Sequence, residues 1–81
     1  MTDYLSLANG IAAELSELRR AFHRHPELGN REFETSRRIE ACLRRWGIST
    51  RRILDTAVIG RLEGARPGPT AALRADMDAL P

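Results

Sequence analysis

Two aspartates one residue apart, Asp76 and Asp78, are the side chains best placed to do chemistry. The apolar run Ala71-Ala72-Leu73 leads into them, with Arg74 between. An apolar segment that ends in acids is how a buried strand delivers a carboxylate to a cleft. In open α/β sheets, ligands gather just outside the carboxyl ends of the strands. In an extended segment side chains alternate with period two, so both carboxylates share a side unless the chain turns after Asp76. A strand end running into a polar turn gives the same spacing, since Asp is a common turn residue. His23-Arg24-His25 invites a metal reading. However, histidines at i, i+2 share a face only in a strand, these fall at a predicted helix end, and a zinc-type site needs at least three ligands. The pattern reads instead as histidines hydrogen-bonding near a helix terminus. Cys42 is a possible nucleophile, but it sits mid-helix among apolar neighbours with no base at hand. It reads as a small buried hydrophobe.

Composition bounds the rest. Eighty-one residues make one small domain at most, burying somewhat over ~60% of the surface of the unfolded chain. A hydrophobic fraction of 42% suits a globular chain rather than a disordered one. No apolar run approaches the ~20 residues of a membrane span. Met1-Thr2-Asp3 opens without a basic region or an apolar core, so no signal peptide is expected. A single cysteine forms no internal disulfide, and a cytoplasmic location is expected. All 13 basic residues are arginine, in a net charge of +2. Four Arg-Arg pairs could make a phosphate-binding surface. Eleven interspersed acids, and the lack of aromatic residues among the pairs to stack on bases, favour a solvated helix face and no nucleic acid.

The elements that must position these residues follow from periodicity. Leu5, Ala8, Ile11, Ala12, Leu15, Leu18 and Phe22 recur at spacings of three and four and predict an amphipathic helix over 2–24. Asn9-Gly10 blemishes it, because Gly in a helix interior costs roughly 1 kcal/mol. Pro26 ends it. Leu28-Gly29-Asn30 predicts a turn, with Asn30 as N-cap of a second helix over 31–46 and Gly47 as its C′ residue. Phe33, Ile39, Leu43 and Trp46 form its expected buried stripe, with Cys42 at the edge. Glu34 with Arg38 and Glu40 with Arg44 are i, i+4 pairs. Three strands should follow, over 48–54, 57–62 and 70–75, the first two antiparallel about a turn at Asp55-Thr56. Gly60 suggests a bulge or a close backbone approach. The expected class is α/β, two helices and then about three strands, the start of a larger mixed sheet.

Two motifs carry a resemblance. Arg74-Ala75-Asp76-Met77-Asp78-Ala79-Leu80-Pro81 resembles the R-x-D-M-D-A-L-P signature of the metal-dependent amidohydrolases, among them hippurate hydrolases, N-acyl-amino-acid amidohydrolases and indole-acetyl-amino-acid hydrolases. Leu18-Arg19-Arg20-Ala21-Phe22-His23-Arg24-His25-Pro26-Glu27-Leu28-Gly29, with Glu32 and Thr35, is similar to that family's L-R-R-x-x-H-x-x-P-E-L-x-x-x-E-x-x-T opening. The likeness runs in order from about residue 15 to 81. It implies that residues 1–81 are the incomplete N-terminal portion of a catalytic domain that cleaves the amide bond of N-acyl amino acids or similar small conjugates. It further implies a divalent metal, zinc, manganese or similar, for the complete enzyme. The family's metal ligands lie in a later Cys-Gly-His-Asp-x-His segment, a Glu-Glu pair holding the general base, and further histidines. None of these is in this chain, so no metal ligand is expected within it, and alone it is expected to be inactive. By resemblance, Asp76 hydrogen-bonds and orients a metal-bound histidine, fixing its tautomer and ring direction. Sibling peptidases carry His-x-Asp here, and that His binds metal. Arg74 takes its place, and a guanidinium is always charged and cannot coordinate a cation. Arg74 therefore points to the amidohydrolase branch, and Asp78 is expected to cap the following turn. A homo-oligomer is compatible with this reading. The alternative is a stand-alone, non-catalytic binding module derived from such an enzyme.

Overall fold

The computed structural model describes residues 3–80. Helices α1 (Tyr4–Gly10), α2 (Ala12–Arg24) and α3 (Phe33–Arg45) precede strands β1 (Ser49–Ile53) and β2 (Ala57–Arg61), an α/β arrangement. The single helix expected over 2–24 is two helices, and Thr2 lies outside the described residues. The break falls where Gly10 weakens the helix: Ile11 leaves helical geometry (φ −113°, ψ 5°), and its N–H bonds back to the Ala8 carbonyl at 3.1 Å. Asp3 caps α1, its carboxylate accepting from Ser6 N–H at 3.1 Å and from the Ser6 hydroxyl at 2.8 Å. Arg24 is the last residue of α2, and His25, restricted by Pro26, is its C-cap.

Helix α3 begins two residues later than expected, and Asn30 is not its N-cap. Asn30 instead takes the left-handed conformation (φ 66°) in a turn closed by Arg31 N–H to the Leu28 carbonyl at 2.9 Å. Asparagine tolerates that region better than most residues. The other end is as the sequence suggested. Gly47 at φ +78° is the C′ residue of a Schellman motif, with Gly47 N–H to Arg44 O at 3.0 Å and Ile48 N–H to Leu43 O at 2.9 Å.

The face that α3 buries differs from the expected stripe. Phe33 and Trp46 are each 46% exposed, and Ile39, Cys42 and Leu43 are half-buried, whereas Thr35 and Ser36 are buried, Ser36 completely. Thr35 meets Glu27, Ser36 meets Arg52 of β1, and the hairpin also comes close to Leu43. A Cβ built on Gly60 would stand 3.2 Å from Leu43 Cδ1 and 3.3 Å from Ile48 Cγ2, so Gly60 is a close approach rather than a bulge. Of the two expected ion pairs, Glu40 meets Arg44 at 3.6 Å, while Glu34 pairs with Arg37 rather than Arg38.

Strands β1 and β2 pair antiparallel, Ser49 opposite Arg61 through Ile53 opposite Ala57. Leu54 (φ 52°) and Asp55 (φ 64°) reverse the chain, and Thr56 is buried beneath the turn. The third strand expected over 70–75 is absent. Residues 62–80 form no regular element, and Leu73 is fully exposed. The segment between holds Gly64, Pro67, Gly68 and Pro69, and Ala71 and Ala72 offer little apolar surface to pair against the hairpin edge. No helix among the described residues is long and apolar enough to cross a membrane.

Candidate functional site

The two motifs lie about 50 residues apart in sequence and meet in space. The signature runs back to the turn after α2, where Ala79 N–H donates to the Glu27 carbonyl at 2.9 Å. Asp78 lies over Gly29: a Cβ there would be 4.0 Å from Asp78 Oδ2. Met77 and Ala79 are half-buried against this turn, while Asp76, Asp78 and Leu80 are exposed. Pro81 lies outside the described residues.

Glu27 holds the turn to α3. Its carboxylate accepts from Thr35 N–H at 2.6 Å and Glu34 N–H at 3.2 Å, two of the amides that the first turn of a helix leaves unsatisfied. This is a cap supplied from seven and eight residues upstream in place of the expected Asn30. Hydrogen bonding from Thr35, with a smaller contribution from Glu34 N–H and the nearby Arg37 charge, lowers the Glu27 pKa against the opposing effect of desolvation. Beside it a shallow cavity of about 430 Å³ is lined by Phe22, His25, Pro26, Glu27, Thr35 and Arg38, among others. The aspartates of the signature do not line it.

The other sequence-predicted residues do not converge on this place. Asp76 pairs with Arg74, Oδ1 to the guanidinium at 3.1 Å, with both side chains largely in solvent. His23 and His25 are exposed at the end of α2. Cys42 is half-buried on α3, its sulfur 4.0 Å from an Arg45 guanidinium nitrogen. Asp78 forms no hydrogen bond among the described residues that would make it a turn cap. No group of three His, Cys, Asp or Glu among the described residues could hold a metal ion. The described residues therefore do not form a metal ligand set.

Periodicity did not reveal a second cluster. Arg52 reaches across from β1 and donates to Ser36 Oγ at 2.5 Å and to the Asp55 carbonyl at 2.8 Å, with Glu40 3.9 Å away. Arg44 Nε donates to Thr50 Oγ1 at 3.1 Å. Two members of the Arg-Arg pairs are thus clips between α3 and the hairpin. The signal available in the sequence was the break in apolar alternation at Arg51-Arg52 within a strand.

Among known proteins, the chain is 46% identical over 67 residues to thermostable carboxypeptidase 1 of Saccharolobus solfataricus, covering 80% of this chain and 17% of that protein. It is 46% identical over 72 residues to N-acetyl-L-cysteine deacetylase of Bacillus subtilis, covering 88% and 17%. It is 38% identical over 76 residues to N-acyl-L-amino acid amidohydrolase of Geobacillus stearothermophilus, covering 93% and 20%. The chain therefore spans about one fifth of the length of the curated relatives it matches. No protein-family model and no solved structure matches it. Over this span its sequence resembles the N-terminal part of enzymes of the amidohydrolase family.

Proposed function

We propose that these residues are the opening of a metal-dependent enzyme that hydrolyses the amide bond of N-acyl amino acids or similar small conjugates. The carrying observation is the similarity to an N-acyl-L-amino acid amidohydrolase over 76 residues and to a deacetylase over 72. A divalent metal polarises a carbonyl and activates water in such reactions. In this reading its ligands come from outside residues 1–81, and the chain contributes position. Asp76 stands exposed at the signature, available to a histidine N–H once Arg74 yields it. A carboxylate in that place fixes the tautomer of a ligand and raises its basicity. The small amide substrate, the cytoplasmic location and any self-association belong to the same proposal. No observation favours a stand-alone binding module.

The test uses steady-state kinetics of the enzyme containing this chain, reconstituted with excess metal. Asp76→Asn keeps the size of the side chain and an acceptor oxygen but removes the negative charge. It should lower kcat by roughly 10–100-fold, the usual scale for losing a partner of a metal ligand. Asp78→Asn should stay within a few-fold of wild type. The reverse ranking would exchange the roles of the two acids, and two near-normal variants would make the signature purely structural.

A further inference from the structure

Residues 62–80 have no helix or strand of their own, and among the described residues one backbone hydrogen bond joins them to the rest, Ala79 N–H to the Glu27 carbonyl. Glu27 is thus used twice. Its carboxylate is engaged by the first turn of α3, through Thr35 and Glu34 N–H, and its carbonyl is engaged by the signature. A carboxylate at a helix N-terminus makes charge-assisted bonds and meets the positive end of the helix dipole, so it is a firm anchor. Both ends of the intervening chain are constrained. Pro26 fixes φ just before Glu27, and the Arg31-to-Leu28 bond closes the turn just after it. With the side chain pinned to α3 and the flanking backbone restricted, the direction of the Glu27 carbonyl is set.

We infer that Glu27 is a positioning residue: by capping α3 with its side chain it aims its own carbonyl at Ala79, and so fixes where the Asp76-Met77-Asp78 segment lies. The meaning of that placement for catalysis rests on the proposed function; the placement itself does not. The deletion of a cap alone would loosen only the first turn of α3. A latch loosens Ala79 with it.

Amide hydrogen exchange read on the enzyme that contains this chain separates the two. In the wild type, Ala79 should exchange several-fold more slowly than in an unstructured peptide. In E27A, Glu34, Thr35 and Ala79 should all speed up together, while the β1 and β2 amides keep their protection. E27Q retains an acceptor oxygen without the charge and should restore part of the protection at all three positions. Should E27A lose the hairpin as well, E27Q decides on the same criterion. Unchanged Ala79 exchange beside a deprotected Thr35 overturns the inference, as does a wild-type Ala79 that exchanges freely. Loss of the hairpin in E27Q also overturns it, since Glu27 would then support the whole fold. A normal Asp76→Asn enzyme would sink the catalytic reading and leave this result standing.

Discussion

At the scale of single residues, the chain is held by polar side chains doing what apolar ones do in larger cores. Ser36 is fully buried because its hydroxyl donates to the Phe33 carbonyl at 2.9 Å and accepts from Arg52. Burial without those partners would cost about 1–3 kcal/mol. Glu27 makes stability depend on pH in a defined direction. Its pKa is depressed in the folded state, so its contribution is complete above the ordinary glutamate value of about 4.3 and is lost as pH falls through the lower folded value. Thermal melts followed by circular dichroism at pH 6 should therefore place wild type above E27Q, and the gap should close as the solution is acidified toward pH 3. A gap that widens on acidification would mean that the carboxylate is not the stabilising form. Asp76 and Asp78 were candidates on spacing alone, and they stand exposed, away from the cavity beside Glu27. The double use of Glu27 was not legible, because its partners Thr35 and Ala79 are brought to it only by the turn and by the returning chain.

At the scale of elements, punctuation decided more than periodicity. Pro26 and Gly47 each mark a boundary where the sequence placed one, while Gly10, expected only to blemish a helix, splits it. Gly47 is the sharpest case, since its φ of +78° lies in the left-handed region that most residues with a Cβ avoid. Gly47→Ala has open space around the new methyl, so the cost is conformational alone, about 1–2 kcal/mol. A lower urea midpoint with an unchanged slope should show it. An unchanged midpoint would mean the Schellman turn contributes nothing. What the pattern could not show was the facing of α3. Its apolar stripe predicted Phe33 and Trp46 inside, but the hairpin lies over Ser36, and only a guanidinium arriving from Arg52 makes that face buriable. The third strand failed for a related reason: a strand needs an edge and a covered face, and a run of alanines specifies neither.

At the scale of the whole molecule, the apolar surface is largely outside. Ala21 is the buried hydrophobic residue among those described, while Tyr4, Leu5 and Leu7 on α1 and Leu62 and Leu73 after the hairpin are all more than 60% exposed. So many large apolar side chains in water favour association or a partner. The 9.1 kDa chain should accordingly elute from gel filtration ahead of a monomer, bind a hydrophobic dye and melt broadly. A monomer with one sharp transition and no dye binding would show that the chain is self-sufficient.

The clips between α3 and the hairpin carry a consequence for how the chain acquires its shape. Ser36, Glu40, Arg44, Thr50, Arg52 and Asp55 fall within twenty consecutive residues, and the Schellman turn lies among them. Closing so short a loop takes well under a microsecond and precedes any distant pairing. On a ribosome, synthesis would deliver this middle unit before the signature. Folding would then proceed from α3 and the hairpin outward, with Ala79 arriving at a turn already built to receive it.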